Sequence, residues 1–103
     1  MKNVVCFFLS IVLSTAVTAN DGADAHNDVR FKLNAGNYFS QPVPSPALGP
    51  LQWDETIAAR AQVRSDQCIW GHTTSSERGG DGENIYLSGR TSTVRDAVIS
   101  WAD

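Results

Sequence analysis

His72, Glu83, His26 and Arg30 are the side chains whose types and spacing could do chemistry in this sequence. His72 follows Cys68-Ile69-Trp70-Gly71. It is either a packed imidazole with one satisfied nitrogen or a site residue. Glu83 stands between Gly82 and Asn84, where glycine permits a close backbone approach and asparagine can tie down a turn. A carboxylate held in that way suits a metal ligand or a base; the plainer alternative is an exposed turn glutamate. Together His72 and Glu83 supply two ligands. A structural zinc needs four and a catalytic one three plus water, so the pair alone closes no metal shell. His26 and Arg30 lie one helical turn apart and could hydrogen-bond a neighbouring loop, or form a partly buried structural pair. No Ser or Cys has a general base beside it in sequence, which argues against covalent catalysis.

Three helices and one short strand have to position these groups. The first helix is expected to open near Asp24, capped by Asp21 or Asp24. Ala25, Val29 and Leu33 lie at helical spacing, and Ala35-Gly36 suits a stop. Pro42, Pro44, Pro46 and Pro50, with Gly49, make 37–50 an extended loop. A second helix should start at the N-cap Asp54, with Ile57, Ala58, Ala61, Ser65 and Cys68 on one face and Trp53 packing on its first turn. From Gly71 to Gly89 the chain reads as glycine-rich loops around a strand at 84–87. Thr93 and Asp96 form a capping box for a third helix carrying Val94, Ala97, Val98 and Trp101.

The start of the chain reads differently. Lys2 precedes an almost wholly apolar run over 4–17, and Val17-Thr18-Ala19 offers the small residues of a cleavage site. Residues 1–19 are therefore expected to be a secretory signal peptide, too short to span a bilayer. Its removal takes Cys6 away and leaves Cys68 alone, either a buried small apolar residue or half of a disulfide. Eight basic residues against eleven acidic ones, with no basic block, exclude nucleic-acid binding through phosphate neutralisation.

Taken in order, His26-Asn27-x-x-Arg30, Leu51-x-Trp53-Asp54, Ala61-Gln62, Cys68 with His72, Gly82-Glu83-Asn84 and Ala97-x-x-x-Trp101 resemble the CAP superfamily. That superfamily includes cysteine-rich secretory proteins, venom allergens and plant pathogenesis-related proteins. The wording Trp70-Gly71-His72 and the proline-rich insert are most similar to its bacterial members. The resemblance implies an α+β fold, an α/β/α sandwich with a shallow cleft lined by two histidines and two glutamates that can bind zinc or another divalent metal. His72 and Glu83 match the first of each kind. The second glutamate is expected one residue beyond Asp103, and the second histidine, the partner cysteines and the later strands further on. Residues 20–103 are thus expected to form a partial domain, truncated before its C-terminal strands. Such a product should have open sheet edges, uncovered helix faces and marginal stability.

The function implied is that of a secreted, non-enzymatic binding module, extracellular or periplasmic. Its metal-binding cleft would be complete only in a longer chain, and its partner is a small lipid or sterol or a cell-surface molecule. Neither nucleic acid nor a membrane span is expected. The alternatives are a metal-dependent hydrolase or protease, in which a family glutamate activates water, and a fragment with no function of its own.

Overall fold

The computed structural model describes residues 5–7 and 17–103, with side chains from Asp21 onward. Three helices and little strand make up the architecture. The elements run β1 (Val5–Phe7), α1 (Val17–Asn34), α2 (Glu55–Gln67), β2 (Tyr86–Ser88) and α3 (Val94–Ala102). β1 pairs antiparallel with β2, Val5 opposite Ser88 and Phe7 opposite Tyr86. In a two-stranded ribbon each strand keeps one unpaired edge. Most of the expected signal peptide lies outside the described residues. Of residues 1–19, only β1 and the opening of α1 are described, and the expected cleavage position after Ala19 falls in the first turn of α1.

α1 begins seven residues earlier than Asp24, so neither Asp21 nor Asp24 caps it. Thr18, Asn20, Asp21 and Gly22 are poor helix formers, so propensity alone did not mark this start. Gly22 and Ala25 are buried on the inner face, and Val29 and Leu33 continue it half-buried. The stop falls where expected. Gly36 has φ 74°, its N–H donates to the Leu33 carbonyl at 3.1 Å, and Asn37 N–H donates to that of Lys32 at 2.8 Å. Those two bonds form a Schellman motif, which glycine adopts without a Cβ penalty.

α3 packs along α1 and against β2. Its capping box is formed as read: Thr93 Oγ1 accepts from Asp96 N–H at 3.1 Å, and Asp96 Oδ2 accepts from Thr93 N–H at 2.8 Å. The Thr93 N–H and hydroxyl hold the Asp96 carboxyl below its ordinary range, outweighing a small desolvation. Replacing Thr93 by alanine is expected to cost about 1 kcal/mol, read as a lower urea midpoint with an unchanged slope. Trp101 ties the layers together. Its indole N–H donates to the Ile85 carbonyl at 2.8 Å, and its ring lies 6.1 Å from that of His26.

The core is thin. Among the described residues its buried apolar members are Ala25, Ala58, Ala97 and Val98, and Val98, 2% exposed, is the largest. Phe31, Phe39, Val63, Ile69 and Trp70 are each more than half exposed. Small residues let α1 and α3 approach closely, but they remove little apolar area from water. α2 buries only Ala58 and Ser65 of its expected face; Ile57 and Cys68 are exposed. Cys68 is therefore not a buried apolar residue. It caps α2 in the left-handed region at φ 51° as a free thiol, with its N–H on the Ser65 carbonyl.

Candidate functional site

Two devices organise the polar residues around these helices. The first is a row of side chains one face of α1 presents to the proline-rich loop. Asn34 Nδ2 donates to the Leu48 carbonyl and its Oδ1 accepts from Leu48 N–H, both at 2.8 Å. Asn27 does the same with Leu51, at 3.0 and 2.7 Å. Arg30 Nε donates to the Gly49 carbonyl at 2.7 Å between them. Backbone groups that prolines leave without ladder partners are thus satisfied by a helix face. Of the two roles open to it, Arg30 takes loop binding. His26 does not: its Nδ1 lies 2.8 Å from the Gly22 carbonyl in its own helix, and its ring faces Trp101. Asn27 and Asn34 had no assigned role in the sequence reading. For Asn27 the signal was there in an amide placed mid-helix, where it is otherwise disfavoured; Asn34 closes α1 and carries no such mark.

The second device brings His72 and Glu83 together. Arg64 on α2 donates to the Gly71 carbonyl at 3.0 Å, and Arg60, one turn earlier, ion-pairs with Asp81 at 2.8 Å. Arg78 closes the loop from within, donating to the Thr73 and Asp81 carbonyls. Thr74 and Glu77 cap the intervening turn by the same reciprocal bonds as Thr93 and Asp96. Gly79 and Gly80, at φ 65° and 83°, end it. Three arginines therefore fix both arms of the loop, and the arms place His72 against Glu83.

The contact itself is close. His72 Nδ1 lies 2.9 Å from Glu83 Oε1, which also accepts from Thr73 N–H at 2.9 Å; Glu83 Oε2 accepts from the Thr73 hydroxyl at 2.7 Å. The Glu83 side chain is only 16% exposed, whereas that of His72 is 60% exposed. Partial burial pushes the Glu83 carboxyl up. The Thr73 hydroxyl and N–H, then the His72 contact, outweigh it and hold the group below its usual range. An ionised carboxylate can only accept, so the neutral His72 ring carries its proton on Nδ1 and leaves Nε2 as a free lone pair facing outward.

This geometry refines the expected pair of ligands. A carboxylate on one imidazole nitrogen, with the other exposed, is how protein histidines are oriented for a metal. In that arrangement His72 Nε2 is the donor and Glu83 its orienting partner. Thr73, absent from the sequence reading, supplies two of the three bonds to Glu83. Gly82 has open space where a Cβ would stand, so no close backbone approach is made there. Among the described residues no group of three or more His, Cys, Asp or Glu side chains is placed to hold a metal ion. His72 with Glu83 behind it would fill one position of a zinc shell, and the described residues do not complete that shell.

Comparison with known proteins adds what geometry cannot. The family profile described as CAP: Cysteine-rich secretory protein family matches residues 23–103. Peptidase inhibitor 16 of Bos taurus is 32% identical over 99 residues, covering 93% of this chain and 21% of its own length. Scoloptoxin SSD43 of Scolopendra dehaani is 32% identical over 81 residues, covering 74% of this chain and 38% of its own length. Venom allergen 3 homolog of Dinoponera quadriceps is 36% identical over 86 residues, covering 74% and 37%. The chain thus spans between about a fifth and two fifths of the length of these relatives. All three are animal proteins, so the expected similarity to bacterial members is not supported. No solved structure matches the chain.

Proposed function

Since the chain belongs to the cysteine-rich secretory protein (CAP) family, we propose that it works as a secreted, non-enzymatic binding module in which His72 presents Nε2 to a divalent metal. The observation that carries this reading is the Glu83 carboxylate held on His72 Nδ1 and fixed by both donors of Thr73. Zinc bound there would supply a Lewis-acidic centre and a fixed positive charge; the remaining ligands would come from residues beyond the two described here. Relatives named as toxin, venom allergen and peptidase inhibitor support an extracellular protein that acts by binding. The hydrolase reading needs a glutamate free to activate water. Glu83 is poorly suited to that task, because both its oxygens are already engaged. A lipid or a cell-surface molecule is the proposed partner class, in an α/β/α sandwich of which α1, α2, α3 and β2 form part.

Calorimetric titration of zinc into a form of the protein extended beyond Asp103 tests the metal site. His72→Ala should abolish uptake, and Glu83→Gln should weaken it by about 10- to 100-fold. Zinc uptake untouched by His72→Ala would overturn the assignment.

A further inference from the structure

We infer that the loop between β2 and α3 is a processing site, where a trypsin-like serine protease cuts between Arg90 and Thr91. Such a protease takes an arginine side chain into an acidic pocket and the flanking backbone in extended form.

The other described basic residues are poorly placed for that. Arg30 and Lys32 lie in α1, Arg60 and Arg64 in α2 and Arg95 in α3. Helical hydrogen bonds must open there before a cleft can grasp the backbone. Arg78 stands in a loop, but the Thr73 and Asp81 carbonyls hold its guanidinium, and Gly79 follows in the left-handed region at φ 65°. Arg90 differs on each count. It is exposed, as are Gly89 and Thr91. Its guanidinium forms no ion pair among the described residues, and its charge is the least of the influences on the Asp96 carboxyl. Open space surrounds the Gly89 Cα, and Thr93 is extended at φ −101° and ψ 166°. Small polar residues in an exposed loop are where nicking concentrates.

The loop is also held in shape from beneath. Ser88 and Ser92 on either side of it are buried. Ser88 Oγ accepts from Arg90 N–H at 3.2 Å, and the Ser92 hydroxyl donates to the Arg90 carbonyl at 3.4 Å. Both bonds are long. Passing that carbonyl to the oxyanion-hole donors of a protease therefore gives up little, and Ser92 Oγ keeps the Tyr86 hydroxyl as a donor.

In the cut, the oxygen of water joins the Arg90 carbonyl carbon and the bond to the Thr91 nitrogen breaks. Both hydrogens of that water end on the nitrogen, leaving a carboxylate on Arg90 and an ammonium on Thr91. α3 then loses its covalent tether to β2. It keeps the Trp101 bond to the Ile85 carbonyl and the Arg95 pair with Asp28. Against them, the new ammonium stands just ahead of the Thr93 cap, at the positive end of the helix dipole, where a cation is disfavoured. Processing thus makes α3 a separable piece.

Trypsin is the probe, added sparingly to the folded full chain, with products read by mass spectrometry. Among the bonds from Arg30 to Arg95, the one after Arg90 should break first and give a product that begins at Thr91. Arg90→Gln should slow that cut by about 100-fold or more, and Arg90→Lys should preserve it. Thr91→Pro keeps Arg90 but puts a ring on the leaving nitrogen. It should block the cut as well, and it keeps the test open if Arg90→Gln fails to fold; far-UV circular dichroism checks each variant. The rate should stay level in low urea, because the bond is cut in the folded state. A first cut elsewhere between Arg30 and Arg95 would overturn the site. So would a rate at Arg90 that climbs with urea as global unfolding does.

Discussion

Trp101→Ala is expected to remove most of the chain's cooperative unfolding transition. Large-to-small changes at a buried tryptophan cost about 3–5 kcal/mol, and half-burial places this one near the lower end. Two effects add to the lost area. The Ile85 carbonyl beside β2 loses its donor, and the His26 ring loses the surface it packs on. With a buried apolar core of three alanines and one valine among the described residues, little is left to absorb the loss. Trp101→Phe separates the contributions. It keeps a ring for His26 but strands the carbonyl, at a cost of about 1–2 kcal/mol. Urea denaturation followed by circular dichroism reads both. A Trp101→Ala midpoint equal to the parent's would show that α3 is not held to β2 through the indole.

Glu83→Ala should be the second most damaging change, at about 2–3 kcal/mol, because Thr73 N–H and hydroxyl and His72 Nδ1 lose their shared acceptor at once. The effect is also pH-dependent, with a definite sign. The folded-state carboxyl titrates below its unfolded value. Its stabilisation is therefore complete above the ordinary glutamate pKa of about 4.3 and is lost as pH falls through the lower folded value. Parent and Glu83→Gln should differ most at neutral pH and converge in acid. A difference that grows on acidification would contradict the carboxylate's role as acceptor.

What the sequence made legible was mostly local. Asp54 and Thr93 announce their helices because a side-chain oxygen three residues before an N–H is a short-range signal. Gly36 announces a stop for the same reason. The opening of α1 was not legible, since Thr18, Asn20, Asp21 and Gly22 have weak helical preference. The strand read at 84–87 lies at Tyr86–Ser88, a shift of the size expected where glycines flank a short run. The candidate site was half legible. Residue types and order singled out His72 and Glu83, but as independent ligands. That one orients the other, through a threonine with no distinguishing mark, depends on how three arginines fold the loop between them. No periodicity encodes such a relation.

The contacts of α1 with the proline-rich loop bear on how this protein tolerates change in length. Asn34, Arg30 and Asn27 grip the backbone at Leu48, Gly49 and Leu51, so the alignment of that stretch of chain is fixed from Leu48 onward. Tyr38 is tied by its hydroxyl to Asp103 Oδ1 at 2.9 Å; residues 39–47 then bridge that tie and the first grip, and most of them are exposed. Doubling such a bridge costs about 0.6 kcal/mol in closure entropy. The bend is a natural insertion point, where an epitope or reporter peptide can be spliced without disturbing what lies on either side.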